Sequence, residues 1–388
     1  MKKKVFIIFK YPHEWNAHVI DKFSNYYDTE HLYISEIKNK NFTEIVNDIN
    51  SLLKSKNIET VVFDVDYFKF INFFFIERIN CQKKIIMIGD DIGLHEFHSI
   101  TASSCDLVLN SDPLAVLKYR EKGYEALFFQ FDFSNLNKDS NIKKEIDVLF
   151  YGHITPDRKI ILDYIEKEGI ALKNVGHENN ITGLPQQELL DLISKSKIVL
   201  NLSKTRTTSV QNYASGSIYS FYYQLKGKII VAGLKGVACV SEYSPGQDLL
   251  FSKNEVPTFF KKEECVEILK KILKDKELLE KYTKNLALKA YEICEDKKNF
   301  EPIFQTIEKT NHRKVNLIKF PYWYLRISAK HILLRNIKLT NLLKSILQIK
   351  IVFSIIKNTT FLNKLLILAE SIINIFWYSI VLTFKQKK

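Results

Sequence analysis

Acidic and imidazole side chains follow one predicted strand closely enough to handle a proton together. The apolar run 84–88 is followed by Gly89, by the adjacent carboxylates Asp90 and Asp91, and then by His95. Carboxylates and imidazoles are common proton acceptors in enzyme sites, where their surroundings shift their pKa values. The sequence therefore predicts a catalytic cluster of Asp90, Asp91 and His95, with the base left open between Asp91 and His95. The competing interpretation is a helix N-cap made by one Asp beside a surface His.

A strand-to-helix junction further along the chain suits a phosphate group. Gly152 follows the apolar strand predicted at 146–151, and Thr155 and Arg158 lie at the start of the next helix. The first turn of a helix offers free backbone N–H groups and a positive dipole end, to which an Arg adds a two-pronged charged contact. The junction thus predicts phosphate binding by Gly152, Thr155 and Arg158. The alternative is a solvated Arg beside a capping pair.

Two later loops supply further polar candidates at predicted strand ends. The first loop closes the strand predicted at 198–202, and the second contains a Pro-Gly pair that predicts a tight turn. Backbone N–H groups exposed in such turns bind phosphate or other acceptor groups, and a carboxylate there pairs with a ligand hydroxyl. Ordinary loop residues and a carboxylate satisfied by its own turn are the competing interpretations. The predicted contacts come from Asn201, Ser203, Lys204, Glu242, Pro245 and Gly246.

Apolar strands alternate with helical periods in two successive series, which place these candidates at strand ends. The first series starts at Val5–Phe9, and the alternation restarts at Ile146–Tyr151 after a polar linker at Ser134–Lys144. Such alternation predicts parallel sheets covered by helices on both faces. We expect two Rossmann-like, doubly wound α/β domains at residues 1–135 and 136–309, with a ligand cleft between the carboxyl ends of their sheets.

Several common signatures are absent from the sequence. It contains no GxGxxG after a strand, no GxxxxGK[ST], no GxSxG and no HExxH, which disfavours a nicotinamide enzyme and a nucleotide hydrolase. The five cysteines lie far apart without a CxxC, and this spacing predicts buried, reduced thiols.

Three stretches of the chain carry a family resemblance. They are Gly89-Asp-Asp-Ile-Gly-Leu-His-Glu-Phe with Cys105-Asp-Leu-Val-Leu-Asn-Ser-Asp, then Asp147-Val-Leu-Phe-Tyr-Gly-His-Ile-Thr-Pro-Asp-Arg, and last the run from Ser196-Lys-Ile-Val-Leu-Asn-Leu-Ser-Lys to Val237-Ala-Cys-Val-Ser-Glu-Tyr-Ser-Pro-Gly. In this order and spacing they resemble the bacterial GT-B glycosyltransferases related to the spore-maturation protein CgeB. The resemblance covers roughly residues 60–305 and leaves out the C-terminal tail.

The resemblance implies transfer of a sugar from a nucleotide diphosphate sugar to a glycan, glycolipid or protein acceptor in surface glycan assembly. The first domain would bind the acceptor and the second the donor, whose phosphates would lie near Gly152, Arg158, Lys204 and Lys228. No metal or other cofactor is expected, because basic side chains and helix ends stabilise the leaving diphosphate in such enzymes.

The sequence departs from the family pattern at the glutamate that accepts hydrogen bonds from the nucleotide ribose. Related enzymes carry Arg-x-x-Glu in a position where Lys228 and Val231 stand here. Valine accepts no hydrogen bond, so either another carboxylate such as Glu242 takes the role or donor binding is weak or lost. The alternative function is therefore a catalytically inactive GT-B-like scaffold at the membrane.

A rival glycosyltransferase class would use Asp64-Val-Asp66, since paired carboxylates at a strand end hold a divalent metal in GT-A enzymes. GT-A enzymes have one nucleotide-binding domain, whereas this chain shows two α/β series. We therefore interpret Asp64 and Asp66 as caps of a helix that begins near Phe68.

Residues 310–388 form a basic and apolar tail. They contain 14 Lys and Arg residues and a single acid, Glu370, so they carry the whole net charge of +13. Lys350, Lys357 and Lys364 recur beside apolar positions, as on a helix that lies in a membrane interface with its lysines at anionic lipid phosphates. The tail is too apolar for RNA or DNA, so no nucleic acid is expected. A partner protein covering the apolar face is the alternative.

These features predict a cytoplasmic protein held peripherally at the inner face of the membrane. A helix lying on the membrane is favoured over a spanning one because Glu370 falls within the candidate span 365–384. Truncation at Thr310 is expected to leave a soluble, near-neutral body.

Overall fold

Six parallel strands form the first sheet of the protein. The computed structural model describes residues 2–37, 40–65, 69–91, 94–130, 136, 142–177, 184–204, 223–310, 320–333, 349–356, 363–370 and 372–373. The strands of the first sheet are β1 (Lys4–Phe9), β2 (Asp28–Tyr33), β3 (Thr60–Asp64), β4 (Lys83–Ile88), β5 (Leu107–Asn110) and β6 (Ala126–Phe128). Their order in the sheet is β2-β1-β3-β4-β5-β6.

A second parallel sheet follows in the chain. Its five strands are β7 (Ile146–Phe150), β8 (Leu172–Asn174), β9 (Ser196–Asn201), β10 (Ala238–Glu242) and β11 (Thr258–Phe259), in the order β8-β7-β9-β10-β11. Both sheets therefore share one winding pattern, in which the first strand lies between the second and the third. Each has its switch point there, between β1 and β3 in the first sheet and between β7 and β9 in the second. Ligands of doubly wound folds bind at the carboxyl ends of strands beside such a switch point.

Helices connect the strands and cover both faces of the two sheets. The helices before residue 310 are α1 (Glu14–Tyr26), α2 (Phe42–Lys56), α3 (Phe73–Glu77), α4 (His95–Ala102), α5 (Pro113–Glu121), α6 (Pro156–Lys167), α7 (Gln186–Ser194), α8 (Lys228–Leu234), α9 (Pro245–Asp248), α10 (Lys262–Lys274), α11 (Lys276–Ile293) and α12 (Glu301–Lys309). The described part of the tail adds α13 (Tyr322–Leu333) and α14 (Ile349–Ile356), and residues 363–370 are also helical.

Local sequence explains where several of these helices begin. Asn41 and Glu44 form a reciprocal capping box at α2, where the Asn41 side chain accepts from the Glu44 N–H at 3.0 Å and the Glu44 carboxylate accepts from the Asn41 N–H at 2.7 Å. Asp112 and Thr155 cap α5 and α6, and each precedes a Pro at the first helical position. These caps fix the chain at the points where strands pass into helices.

The predicted fold class of two Rossmann-like α/β domains is confirmed by these two sheets. The helix expected at 68–79 is shorter, because α3 spans only Phe73–Glu77 and is capped by Asn72, whose side chain accepts from two backbone N–H groups. Asp66 and Phe68 lie outside the described residues, as does most of the linker expected at 134–144. The domain bounds at 135 and 309 stay predictions.

The chain returns to the first sheet after crossing the second. Phe300, Ile303, Phe304 and Ile307 belong to the same apolar cluster as β1 and α1. The expected donor half therefore ends in residues that pack on the other half.

Helix α13 also belongs to the first core, although it lies beyond the predicted bound at residue 309. Tyr324 is 0% exposed, and its hydroxyl lies 2.9 Å from both the Phe73 N–H and the Thr101 Oγ1. Leu325 and Ile332 are buried in the same cluster. Truncation at Thr310 would expose this apolar surface, so we expect it to destabilise the first domain rather than leave a soluble body.

The remaining described tail packs on α13 and leaves part of its apolar surface outside. Arg326 forms a bidentate ion pair with Glu370, whose isolated charge was expected to disfavour a span. Phe353 and Ile373 are 52% and 65% exposed. Among the described residues there is no helix long and apolar enough to cross a membrane. Lys357, residue 371 and residues 374–384 lie outside the described part.

Candidate functional site

A cavity of about 440 Å³ opens between the carboxyl ends of the two sheets. The first sheet contributes residues that follow its strands, and the second contributes the end of β7, helix α7 and the start of α8. The lining includes Lys10, His13, Asp64, Asp90, Gln130, Tyr151, Gln186, Gln224, Lys226, Lys228 and Val231. The cavity thus lies beside both switch points, where the two-domain expectation placed a ligand.

Asp90 is the one member of the predicted catalytic cluster among the described lining residues. Its Oδ1 accepts from Lys226 Nζ at 2.9 Å, and Lys226 also donates to Gln224 at 3.2 Å. Gln224 in turn donates to the Gly89 carbonyl at 2.9 Å. The segment before α8 is therefore bound to the end of β4, and this network connects the two halves of the cleft.

Asp91 is 0% exposed and its carboxylate accepts three hydrogen bonds. His95 Nδ1 lies 2.7 Å from Oδ2, while His98 Nδ1 and the Tyr119 hydroxyl lie 3.0 Å and 2.9 Å from Oδ1. An ionised carboxylate only accepts hydrogen bonds, so both imidazoles donate through Nδ1. Burial alone would raise the pKa of Asp91, but attraction to His95 and hydrogen bonds from both histidines hold it well below its usual range.

His95 faces the interior of the first domain. Its Nε2 lies 3.3 Å from Lys122 Nζ, and its ring packs against Tyr119 at a centroid distance of 4.8 Å. Both ring nitrogens of His95 thus have partners within the domain. The structure brings Asp91 and His95 together as predicted, but it places neither among the described lining of the cavity.

Asp64 is a cavity residue that the sequence interpretation treated as a helix cap. It ends β3 and is half-buried, and its carboxylate makes no hydrogen bond with any residue in the described part of the chain. Burial raises the pKa of Asp64 to about 7, with opposition from the positive charge of Lys10. A carboxyl group that titrates near neutrality and faces a cleft has the properties of a proton acceptor.

Arg158 is placed at the predicted donor loop but holds protein groups there. Its guanidinium donates to the carbonyls of His153 at 2.7 Å, Leu202 at 2.9 Å and Lys204 at 2.9 Å. These contacts join the loop after β7 to the loop after β9. Thr155 serves as the N-cap of α6, where its hydroxyl accepts from the Arg158 N–H at 3.3 Å.

The loop after β9 is bound to the end of β10. Ser203 donates to the carbonyls of Glu242 at 3.0 Å and Tyr243 at 2.9 Å, and the Glu242 carboxylate accepts from the Lys204 N–H at 2.9 Å. Burial raises the pKa of Glu242, although hydrogen bonds from the Lys204 and Ser203 backbone oppose the rise. Asn201 donates to Ser241 at 2.8 Å. The four predicted residues of these loops are therefore brought together.

Lys228 reaches over the end of β7, directly above Gly152. Its Nζ donates to the Tyr151 carbonyl at 2.6 Å, and a Cβ added at Gly152 would lie 3.1 Å from the same nitrogen. Gly152 also has a φ of +104°, which other residues rarely adopt. Burial, followed by the charges of Arg158 and Lys226, lowers the pKa of Lys228 well below its usual range. Position 152 therefore needs glycine for its backbone and for the lysine above it.

The turn at Pro245 and Gly246 packs on the first domain. A Cβ at Gly246 would collide with Asp112 Oδ1, so the start of α9 and the start of α5 are in close contact. Asp112 is 0% exposed, and burial raises its pKa to about 6. The predicted donor turn thus forms part of the seam between the two halves.

The described residues contain no cluster of three His, Cys, Asp or Glu side chains that would hold a metal ion. Val231 lies one turn after Lys228 on α8 and contributes an apolar side chain to the cavity.

Residues 143–308 match the family model described as "Glycosyl transferase-like". No curated protein matches the sequence significantly. Among solved structures, Anabaena HepE in complex with UDP has a TM-score of 0.55 at 12% identity, covering 79% of this chain and 100% of that chain. HepE in complex with UDP-glucose has the same score and identity, over 79% and 98%. Sucrose-phosphate synthase from Thermosynechococcus elongatus has a TM-score of 0.53 at 8% identity, over 79% and 99%.

The likeness to the solved structures establishes the GT-B fold, with its two Rossmann-like domains and intervening cleft. The match over the second half adds a glycosyl transferase-like sequence, and together they support a glycosyltransferase.

Proposed function

We propose that this protein transfers a sugar from a nucleotide sugar, and that the transfer takes place in the cavity between its sheets. One observation carries the proposal. Lys228 borders the cavity from the second domain, whereas Asp64 and Asp90 border it from the first. A cation stabilises the leaving diphosphate, and a carboxylate can accept the proton of an incoming hydroxyl group. The two sides of the cavity therefore suit the leaving group and the attacking group of a displacement at a sugar carbon.

The donor would bind to the second domain around Gly152 and Lys228. The lowered pKa of Lys228 reflects burial among other cations, and a diphosphate would supply the negative charge that this position favours. Thr155, Arg158, Asn201, Ser203, Lys204 and Glu242 would hold the surrounding loops in place, with Pro245 and Gly246 beside the sugar. Sugar transfer would proceed without a metal, since lysine and backbone N–H groups carry the charge stabilisation.

The acceptor would be a glycan, glycolipid or protein in surface glycan assembly, reached from the first domain. This part of the proposal, like the closer relation to CgeB-like enzymes, is supported by the three sequence stretches around residues 89, 147 and 196.

The tail would place the cleft at the inner face of an anionic membrane. It carries the net charge of +13, and its described helices expose Phe353, Leu365, Leu366 and Ile373 while their other side packs on the first domain. Exposed apolar groups next to many lysines suit an interface of acyl chains and lipid phosphates.

Donor binding is tested by ligand-observed NMR on the full chain with UDP-, GDP-, dTDP-, CMP- and ADP-sugars. We expect one donor to bind, with an affinity loss of about tenfold or more in Lys228→Ala, because a charge-assisted contact contributes about 1.5–3 kcal/mol. Lys253→Ala is the matched control, an exposed lysine of the same domain. Absence of binding by the folded wild-type chain would favour the inactive scaffold, in which Val231 has replaced the ribose-binding carboxylate.

Membrane association is tested by flotation of the full chain with vesicles. We expect binding to vesicles of phosphatidylglycerol and phosphatidylcholine but not to phosphatidylcholine alone, with loss of binding in Leu365→Asp/Ile373→Asp. Leu249→Asp, a half-exposed leucine of the second domain, is the control. Equal flotation of all three proteins would contradict the role of the tail.

A further inference from the structure

We propose that Asp64 is the catalytic base that takes the proton of the acceptor hydroxyl. The inference rests on the proposed sugar transfer and adds to it the residue that activates the acceptor. It also reassigns that role from Asp91 and His95, which lie in the interior of the first domain.

The position of Asp64 in the sheet is the first support. Strand β3 pairs with β1 on one side and β4 on the other, and Asp64 lies opposite Met87 at its carboxyl end. The first sheet has its switch point between β1 and β3, so Asp64 and Lys10 flank the crevice in which doubly wound domains bind ligands. Both residues line the cavity.

The surroundings of the carboxylate are the second support. Asp64 is half-buried at the cavity wall, and its carboxylate has no hydrogen-bond partner among the residues that the structure describes. A carboxylate without a bonded donor at a cavity wall can accept a hydrogen bond from a ligand bound there. A hydroxyl group bound in the cavity would supply the missing donor.

The protonation of Asp64 is the third support. Burial raises the pKa of its carboxyl group to about 7, so the group exchanges protons near neutral pH. The other titratable and charged residues that line the cavity are Lys10, Tyr11 and His13 after β1, Asp90 after β4, and Tyr151, Lys226 and Lys228 from the facing domain. Asp91, by contrast, is held ionised by its hydrogen bonds and would be a weak base.

In the proposed step Asp64 takes the proton and the diphosphate takes the electron pair. The acceptor oxygen forms a bond to the anomeric carbon while its proton moves to the Asp64 carboxylate. The bond from the anomeric carbon to the diphosphate oxygen breaks, and its electron pair leaves with the nucleoside diphosphate beside Lys228. Asp64 then releases the proton to solvent, and no oxidant or reductant is involved.

The test measures UDP release from UDP-glucose by the full chain, with water as the acceptor, and UDP affinity in parallel. Asp64→Asn is expected to lower the release rate by about 100-fold or more, since general-base catalysis contributes about 10²–10⁴. Its affinity for UDP should stay within about twofold of the wild type, because Asp64 faces the acceptor and not the phosphates. Asp64→Glu should restore part of the rate, and Asp48→Asn, an exposed Asp of α2, should leave it unchanged.

The pH profile separates a base from a structural residue. The wild-type rate should rise with pH through a midpoint near 7, the value to which burial raises the pKa of Asp64, and Asp64→Asn should lack this limb. A wild-type rate and profile in Asp64→Asn would overturn the assignment. UDP binding without UDP release by the wild type would also overturn it and leave donor binding intact, whereas absence of UDP binding would reject the proposed function itself.

Discussion

Asp64 and Asp91 follow neighbouring strands of one sheet, and their surroundings give them opposite properties. Asp91 comes after β4, is fully buried and accepts hydrogen bonds from two histidines and a tyrosine. Asp64 ends β3 and faces the cavity, and its carboxylate has no hydrogen-bond partner in the described chain. The pKa of Asp91 is lowered by its partners, whereas burial raises that of Asp64 to about 7. The net pKa shift of a buried carboxylate therefore depends on whether hydrogen-bond donors accompany it.

The cations of the second domain show the same division. Arg158 donates to three backbone carbonyls and holds two loops together, while Lys228 lies over Gly152 at the cavity wall. In each domain one charged residue stabilises the strand ends and another is presented to the cleft. Two residues of like charge at neighbouring strand ends can therefore differ in role, one structural and one facing the ligand, and their hydrogen-bond partners distinguish the two roles.

The largest expected effect is on the stability contributed by Asp91. Asp91→Ala removes the acceptor of three buried donors, and we expect a loss of about 3–5 kcal/mol in the free energy of unfolding. The folded pKa is lowered, so this contribution is present above the ordinary Asp pKa and is lost only as the pH falls through the lower folded value. Urea unfolding should therefore show a constant difference from wild type between about pH 5 and pH 8. A difference below about 1 kcal/mol would remove the contrast with Asp64.

A smaller loss of stability is expected from removing Arg158, which joins two loops of the second domain. Arg158→Ala leaves three carbonyls without their donor, and we expect a loss of about 2–3 kcal/mol in urea unfolding. Arg158→Lys should restore little of it, because an ammonium lacks the planar fork that reaches several carbonyls. This outcome differs from that expected of a phosphate-binding arginine, which would weaken nucleotide binding and leave the stability unchanged. Lys228→Ala is the matched comparison, because we expect it to weaken nucleotide binding and to change the stability little.

The sequence was sufficient for the fold and for placing the candidate residues near the ends of strands. Apolar strands alternating with helical periods located both sheets, because the period of burial is visible in local sequence. Glycine and polar residues after strands located the cleft, since parallel strands bring their carboxyl ends to one edge. Gly152 and Lys228 were both among the candidates, although their contact joins residues that are far apart in the chain.

The assignment of tasks within the site was not visible locally. Asp64 and Asp91 both lie at the ends of apolar strands, and the donors His95, His98 and Tyr119 around Asp91 distinguish it from Asp64. The place of α13 in the first core was missed for the same reason, because Tyr324 meets Phe73 and Thr101 across more than 200 residues of chain. The basic and apolar composition of the tail predicted a helix on the protein surface. Helix α13 instead packs one face in the first core.

The smallest expected effect is a gain in stability when Asp64 loses its charge. The folded pKa of about 7 lies above the unfolded value of 3.8, so the folded state binds more protons between these values and the stability falls as the pH rises through this window. Above it the ionised carboxylate remains half-buried without a hydrogen bond. Asp64→Asn removes this cost, and we expect it to raise the free energy of unfolding at pH 8 by about 1–2 kcal/mol, reduced from the full shift by solvent at the cavity wall.

The same variant should show little difference from wild type at pH 4, where the folded wild type is protonated at Asp64. Thermal unfolding at both pH values measures the effect, with Asp48→Asn as the exposed control. A variant that gains stability at high pH while losing turnover would show that the site maintains an unfavourable charge for its chemistry. Equal melting temperatures of wild type and Asp64→Asn at pH 8 would instead mean that the carboxylate is fully solvated, and the contrast between the ends of β3 and β4 would then be one of hydrogen bonding alone.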